Sequence, residues 1–568
     1  MSKSISRKDF LKNMAKGMAG CSLGALSTTA CAQWLNSSPQ FPCRMLGPSR
    51  ELGHKLRDGL VSPSNSTALG AKEVVIVGGG MAGLSAGWWL KRNGFSDFVI
   101  LELEKKVGGN SVSGANQYSA YPWGAHYVPI ANQESEYVRL LFEELNVIAR
   151  FDKSGLPFYD ELYLCHEPQE RLFKDGRFQE GLVPKRGLQK EEEQEIGRFF
   201  DRMINFRNST GSDGKLAFAI PLDLSSQDPE FIKLDKISMA DWLHENHFRS
   251  KPLAWYVNYC CRDDYGSLSQ NVSAWAGVHY FAGRRGHAAN AELNSVVTWP
   301  EGNGFIVNKL KDKLRDHITA KALVTQIDDQ DQIMEDGVGK DSAKLDRRAK
   351  TTYLRSDTNK FYSIESDFVI FAAPRFVAMH VLKQLEKPPI DHHDLSYAPW
   401  MVANVSLKRI PDATGVPLAW DNVSFYSNSL GYVCATHQEI TTREKPTVIT
   451  YYYPLSDSDP VTSRQQLYDA SSQIWSQRIV KDLESMHPGI GNEIISMDLW
   501  PWGHGMIRPS VGFIWGGVRQ KMKDTLGNIV FAHSDMSGMS NFEEAQYHGV
   551  EAAKHVLKVT SGRQRNGA

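Results

Sequence analysis

A glycine-rich turn between a strand and a helix constrains this chain more than any other feature. The run Glu73–Val77 is β-branched, as in a buried parallel strand, and Leu84–Arg92 has the composition of a helix. Between them lie Gly78, Gly80 and Gly83, at the spacing Gly-x-Gly-x-x-Gly. This order predicts a βαβ unit that binds a dinucleotide at the N-terminus of the helix.

Each position of the turn has its own physical role. Gly78 permits the tight turn, Gly80 lets the backbone approach a diphosphate, and Gly83 lets the helix pack closely on the strand. Met81 and Ala82 begin the helix, where free N–H groups face the phosphates. Direct hydrogen bonds and burial of the adenosine must supply most of the affinity, because the helix dipole contributes only about 0.3–2 kcal/mol.

An acidic residue follows the second strand of this unit. The strand is Phe98–Leu101, and Glu102 lies 24 positions after Gly78, close to the expected separation of about 20. Its carboxylate is expected to accept hydrogen bonds from ribose hydroxyls and to repel a 2′-phosphate. Strand, turn, helix, strand and acid therefore occur in the order that a dinucleotide site requires.

Length and composition are those of an ordinary globular protein. The chain has 568 residues, 41% of them hydrophobic, with 64 Lys and Arg against 65 Asp and Glu. The length allows about three domains or a large two-domain enzyme. A balanced charge gives no electrostatic reason to expect nucleic acid or an anionic membrane as partner. The seven cysteines include no Cys-x-x-Cys pair, and no apolar run reaches the ~18–20 residues of a transmembrane helix.

The first residues have the pattern of an export signal. Arg7 and Lys8 precede the charge-free stretch Gly17–Ala30, a basic region followed by a short apolar one. The pattern in residues 1–32 resembles the twin-arginine signal of bacteria, with Lys8 in place of the second arginine. It predicts export, to the periplasm of a bacterium; the alternative is a disordered tail.

Two processing routes fit the end of this signal. In the first route, the signal is cleaved after Ala32, where the flanking residues are small. In the second route, Cys31 carries a lipid anchor. Residues 33–70 are rich in Ser, Pro and Gly and predict a linker.

Several further blocks resemble the flavin-containing amine oxidase superfamily, in the order of that family. These blocks are 75–84, 101–109, 123–126, 299–304, 367–374 and 527–535. The resemblance implies an α/β protein of two lobes, a Rossmann-type FAD-binding lobe interleaved with an α+β substrate lobe. The FAD lobe would comprise 71–135, 294–382 and 503–562, and the substrate lobe 136–293 and 383–502.

The resemblance also implies FAD and places it. Gly109 lies in the paired glycines after the second strand, and Asn110 occupies the position where the family usually has an arginine on the phosphate. The backbone of Val324 would contact the adenine end, and Asp535 would lie near the diphosphate or ribityl chain. No cysteine lies in 537–549, where members with a covalent flavin carry one, so we expect non-covalent FAD. We find no second glycine-turn unit for a nicotinamide cofactor.

Two departures from the family weaken the case for simple amine oxidation. The amine oxidases place a lysine near the flavin N5, where this chain has Ala403 or Asn404. The tail aromatic residue of their amine cage is replaced by Asn541.

Aromatic and histidine residues in the blocks near the flavin are candidates for contact with substrate. We rank four of them as the catalytic candidates: His126, His533, Trp502 and His504. The others share the same segments or a neighbouring helix: Trp123, Trp275, His279 and Trp500. No metal-ligand spacing occurs. The run from Cys260 to Gly266, with Asp263 and Asp264, is interpreted as a helix end with charged caps.

Together these patterns predict an FAD-dependent oxidoreductase that takes a hydride from a small organic substrate, an amine or a C–H donor. Oxygen or an unidentified carrier would reoxidise the flavin. One alternative is a desaturase or isomerase acting on an apolar substrate. Another is an electron-transfer flavoprotein without a small substrate.

Overall fold

The computed structural model describes residues 41–61, 65–329, 349–382, 394–439 and 445–566. The predicted export signal and Cys31 lie outside these residues. Within the described ranges, no helix combines the length and the apolar character needed to cross a membrane.

The strands fall into two large sheets and three small pairs. They are β1 (Cys43–Met45), β2 (Thr67–Val77), β3 (Phe98–Leu101), β4 (Ser113–Ala115), β5 (Ala120–Pro122), β6 (Tyr127–Pro129), β7 (Ile148–Phe151), β8 (Pro157–Tyr159), β9 (Glu170–Lys174), β10 (Arg177–Glu180), β11 (Val296–Thr298), β12 (Ile318–Thr319), β13 (Ala322–Asp329), β14 (Ala349–Arg355), β15 (Lys360–Phe371), β16 (Tyr397–Leu407), β17 (Asp421–Ser424), β18 (Tyr432–Cys434), β19 (Thr447–Pro454), β20 (Ile494–Ile507) and β21 (Ile529–Phe531).

Along the chain, most of the α-helices follow strands of the first sheet or fall in the segment from 190 to 282. They are α1 (Arg50–Arg57), α2 (Met81–Arg92), α3 (Glu136–Glu144), α4 (Lys190–Asn208), α5 (Pro229–Ile232), α6 (Met239–Glu245), α7 (Lys251–Tyr265), α8 (Ala274–Ala282), α9 (Gly304–Leu314), α10 (Arg375–Val381), α11 (Pro460–Asp469), α12 (Ser472–Met486), α13 (Val518–Lys521) and α14 (Phe542–Asn566).

The first sheet positions the glycine turn. Its order is β12-β3-β2-β15-β14-β13, and β21 also pairs with β15. Strand β2 lies between two parallel neighbours, β3 and β15, and its residues Val74–Val77 are buried. The turn therefore follows the carboxyl end of a central strand, the edge at which open α/β sheets bind ligands.

The second sheet forms the opposite wall of the site. Its order is β1-β20-β16-β19-β18-β17-β9-β10, and most of its neighbours run antiparallel. Every residue of β16 is buried. Side chains of this sheet, among them Trp400 and Val402, reach the same cavity as the glycine turn.

The C-terminal helix packs across the start of α2. A Cβ atom added at Gly549 of α14 would lie 2.2 Å from the carbonyl oxygen of Ala82, so only glycine permits this approach. The contact holds α14 against the start of α2.

The linker prediction is wrong for residues 43–57, which form β1 and α1. Arg44 donates two hydrogen bonds to Asp498, both 2.7 Å long. The backbone N–H and the hydroxyl of Ser49 donate to Glu104 at 2.7 and 2.8 Å. These partners are distant in sequence, so the composition of the segment gave no sign of them.

Candidate functional site

A cavity of about 470 Å³ extends between the two large sheets. Its size is typical of sites for small molecules and cofactors. Its lining includes the glycine turn and the start of α2, and also residues of α7, β17 and the first turn of α14.

The glycine turn has the geometry that a bound diphosphate needs. Gly78 has a φ of +106°, and a Cβ there would lie 3.0 Å from the backbone of Ala372. At Gly80, by contrast, the nearest atom to an added Cβ is the Cα of Gly109, 3.9 Å away. The protein thus leaves open space in front of Gly80, at the N-terminus of α2, and the residues present fit a diphosphate.

Glu102 is buried beside this turn. Its Oε2 accepts a hydrogen bond from the N–H of Gly79 at 2.7 Å, and its Oε1 accepts one from the N–H of Glu104 at 2.8 Å. Burial raises the pKa of Glu102 to about 7, and the two N–H donors oppose this shift. The carboxyl therefore holds the turn in shape, and its remaining lone pairs face the cavity that a ribose would enter.

Replacing Glu102 should weaken retention of FAD. In Glu102→Ala the N–H of Gly79 loses its acceptor, and an unsatisfied buried donor costs about 1–3 kcal/mol. We expect the Kd for FAD, measured by fluorescence titration, to rise about 10- to 100-fold. Glu365→Ala, at an exposed position of the same sheet, is the matched control. Unchanged affinity in Glu102→Ala would refute this role.

The other predicted cofactor contacts surround the same end of the cavity. Gly109, Asn110, Val324 and Asp535 all line it. The amide of Asn110 donates to the carbonyl of Gly505 at 2.5 Å, so it joins the turn region to β20. The register of the pairing between β13 and β14 shifts directly after Val324.

Asp535 is held at the end of the first sheet by a dense set of contacts. Its Oδ2 accepts hydrogen bonds from the N–H of Arg375 at 2.9 Å and from the hydroxyl of Tyr397 at 2.6 Å. Burial alone would raise the pKa of this carboxyl, but adjacent His533 and these donors bring it below its ordinary value. Asp535 is therefore a fixed, ionised acceptor at the cavity wall.

The four catalytic candidates of the sequence line the cavity as well. His126 stacks on Tyr452 with ring centroids 4.6 Å apart, and burial lowers its pKa to about 4. Trp502 donates to the carbonyl of Trp123 at 2.6 Å. His504 stacks on Phe376 and is exposed on its other side.

The fourth catalytic candidate is His533, whose Nδ1 accepts the N–H of Asp535 at 3.1 Å. The other aromatic and histidine candidates divide between cavity and core. His279 also lines the cavity, whereas Trp123, Trp275 and Trp500 lie behind its wall.

Four further carboxylates line the cavity. Asp263 and Asp264 of α7, Asp421 of β17 and Glu543 of α14 line it, accompanied by Arg284. Burial is the first cause that raises the pKa of each of these four carboxyls, and Asp264 also raises that of Asp263. Four acids thus face one guanidinium in a space that excludes bulk water.

Arg284 pairs with only one of these acids. It donates to Asp264 at 2.8 Å and to the hydroxyl of Tyr127 at 3.2 Å. Its guanidinium lies 4.5 Å from the ring centre of Tyr280. Among the described residues, none of the other three carboxyls forms an ion pair, although the charge of Arg284 also acts on Asp263 and Glu543.

The interpretation of Asp263 and Asp264 as helix caps is wrong. Helix α7 ends at Gly266 in a left-handed conformation, and both aspartates turn into the cavity instead. Asp421, Arg284 and Glu543 were missed altogether, since each lies on a different element and none carries a motif. The adjacent pair of acids was the one signal present in the sequence.

At the position where the amine oxidases have a lysine near the flavin, this chain has no side chain that could act as a base. Among the residues that the structure describes, no lysine lines the cavity. Asn404 is buried in β16, where its amide donates to the carbonyl of Pro122 at 2.9 Å and its oxygen accepts the hydroxyl of Thr450 at 2.7 Å. Asn541 lines the cavity and caps α14 through the N–H of Glu544.

Within the described ranges, no three His, Cys, Asp or Glu side chains converge to hold a metal ion.

Fold and site together define a two-lobed chain with a Rossmann-type dinucleotide unit beside an acidic, aromatic cavity. Residues 76–145 match the family described as NAD(P)-binding Rossmann-like domain. Oxidoreductase PigB of Serratia sp. is 26% identical over 175 residues, 30% of this chain and 23% of that protein. The match thus spans less than a quarter of the relative's length.

Two solved structures of amine oxidases share the fold over nearly the whole described chain. A putrescine oxidase from a redesign of cofactor binding has a TM-score of 0.61 at 14% identity, and covers 86% of this chain and 100% of its own. Cyclohexylamine oxidase from Brevibacterium oxydans has a TM-score of 0.59 at 12% identity, with the same coverage. The predicted α/β fold with an amine-oxidase-like architecture is therefore confirmed.

Proposed function

We propose that this protein is an FAD-dependent oxidoreductase that oxidises a cationic amine. The observation that carries the proposal is that one cavity is lined both by an open glycine turn and by four carboxylates. The structural likeness to putrescine oxidase and cyclohexylamine oxidase supports the same class of reaction.

Residues of the first sheet would hold the cofactor. Gly80 and the start of α2 would face the diphosphate, Glu102 the adenosine ribose, and Asp535 the ribityl chain. When bound, FAD supplies a hydride acceptor at its N5. The chain contributes position, exclusion of water and charge.

The acidic lining of the cavity would bind and prepare the substrate. Carboxylates attract an ammonium ion from water, and burial in the cavity then disfavours its charge by desolvation. An amine gives up a hydride only in its neutral form, so the site must both attract the cation and remove its proton.

An apolar substrate fits this wall less well. A desaturase or isomerase of lipids would place hydrocarbon against Asp263, Asp421 and Glu543, none of which forms an ion pair among the described residues, and a fatty acid carboxylate would be repelled. An electron-transfer flavoprotein would have no use for an internal acidic cavity of this size.

Anaerobic reduction of the flavin tests the proposal. We expect putrescine or cyclohexylamine to bleach the flavin absorbance, and an unsaturated fatty acid or a polyene to leave it unchanged. Bleaching by the fatty acid or polyene alone would favour the desaturase or isomerase, and bleaching only by a protein donor the electron-transfer role. Reoxidation by air would then show whether oxygen is the acceptor.

We also propose export of the folded, FAD-loaded chain to the periplasm. The basic and apolar pattern in residues 1–32 supports it. Fractionation of the bacterial host should place the protein in the periplasm, and a lipid at Cys31 would place it in the membrane fraction.

A further inference from the structure

We propose that Glu543 accepts the ammonium proton of the amine substrate and so makes its nitrogen neutral before oxidation. The inference rests on the proposed function. The N–H bond of the substrate breaks, and an O–H bond forms on a carboxylate oxygen of Glu543. The positive charge on nitrogen and the negative charge on the carboxylate disappear together, and the step needs no oxidant or reductant.

The first observation is the setting of this side chain. Glu543 lies in the first turn of α14, is only 5% exposed, and faces the cavity. Within the described part of the chain, the only hydrogen bond to its carboxylate comes from its own backbone N–H. The carboxylate thus has acceptor capacity left for a ligand in the cavity that donates a hydrogen bond.

The adjacent glutamate, Glu544, has a structural role instead. Glu544 is also fully buried, but its Oε1 accepts the N–H of Leu222 at 2.6 Å and its Oε2 accepts the hydroxyl of Ser537. Glu544 joins α14 to neighbouring segments, whereas Glu543 leaves its carboxylate to the cavity.

The charges around Glu543 suit reversible protonation. The charges of Asp264 of α7 and Arg284 after α8 act on the pKa of Glu543. Glu543 in turn acts on the pKa of Tyr159 of β8. Burial raises the pKa of Glu543 to about 7, Arg284 opposes the shift and Asp264 adds to it. An acceptor whose pKa lies near neutral pH exchanges protons efficiently.

Other groups of the cavity suit the role less well. Burial lowers the pKa values of His126 and His279 to about 4, and His279 also bonds the carbonyl of Ala219 at 2.8 Å. Asp264 is paired with Arg284. Asp263 is the strongest rival, but two neighbouring acids, Asp264 and Glu170, act on its ionisation, so it does not take up a proton independently of them.

Proton release on binding tests the inference without turnover. tert-Butylamine carries no α-hydrogen, so it enters as the cation and gives up its proton in the site without being oxidised. Calorimetry of the FAD-loaded protein in two buffers should show at least one proton released per bound amine at about pH 6, and about one fewer at about pH 8. Glu543→Gln should bind more weakly and release about one proton fewer per bound amine at about pH 6, with no remaining difference between the two pH values that Glu543 would cause. Asp263→Asn, measured at saturating amine, should keep the part of the release that Glu543 supplies.

Flavin reduction gives a second readout. With putrescine or cyclohexylamine, the wild-type reduction rate should level off above about pH 7. In Glu543→Gln it should fall about 100-fold at neutral pH and rise about tenfold per pH unit, as free neutral amine becomes available. Glu543→Asp should restore part of the wild-type profile.

Two results would overturn the role of Glu543. One is wild-type protein that binds tert-butylamine at about pH 6 without releasing a proton, a measurement that stands even where Glu543→Gln loses FAD. The other is Glu543→Gln with wild-type proton release and pH profile. If neither amine reduces the wild-type flavin, the proposed function fails and this inference with it.

Discussion

Gly80→Val is expected to give folded protein that retains no FAD. Gly80 has φ −73° and ψ −174°, an extended conformation that valine adopts readily. An added Cβ would meet nothing in the protein closer than 3.9 Å, so the fold should tolerate the change. The side chain would instead fill the space for the diphosphate at the start of α2. Each lost hydrogen bond to a charged phosphate costs about 1.5–3 kcal/mol.

The measurement is a titration with FAD, followed by flavin fluorescence and accompanied by a thermal unfolding curve of the apoprotein. We expect affinity to fall by about 100-fold or more, with little change in apoprotein Tm. Gly197→Val, at an exposed helical position with open space around it, is the matched control. Yellow, folded Gly80→Val protein with wild-type affinity would show that the diphosphate lies elsewhere.

Asp263→Asn is expected to weaken amine binding about 10- to 100-fold and to leave FAD binding unchanged. Asp263 faces the cavity, and no described residue donates a hydrogen bond to its carboxylate. A charge-assisted contact with an ammonium group contributes about 1.5–3 kcal/mol, which sets the size of the loss. The Kd for tert-butylamine, measured with FAD-loaded protein, gives the result directly.

The same substitution should stabilise the fold at neutral pH. Burial, and then the neighbouring Asp264, raise the pKa of Asp263, so its ionisation costs folding free energy as pH rises above the ordinary aspartate range. The asparagine variant escapes this cost, and its Tm should exceed that of wild type at about pH 8 but not at about pH 4. Weaker binding together with higher stability is the signature of a group kept for function.

Asp201→Asn, on the exposed face of α4, should change neither binding nor stability. An Asp263→Asn variant that binds amine as well as wild type would remove this carboxylate from the substrate site.

The dinucleotide end of the site could be predicted from the sequence because its parts are local. Gly78, Gly80, Gly83 and Glu102 lie within one βαβ unit, and the pattern of strand, turn and helix fixes their mutual positions. The exact partner of Glu102, the N–H of Gly79, follows only from the folded turn.

The acidic end could not be predicted in the same way. Asp264, Asp421 and Glu543 come from a helix, a strand and the C-terminal helix, and they meet only after both sheets have packed. Composition shows that acids are present but not which of them turn inward. The segment 43–57 was missed for the same reason, since its partners Asp498 and Glu104 lie far along the chain.

The flavin content of the purified chain tests the FAD site most directly. We expect folded protein to be yellow as isolated, or after reconstitution, and to release about one FAD per chain on denaturation, with none bound covalently. Folded protein that stays colourless and does not take up added FAD would contradict the assignment of the turn at Gly78–Gly83.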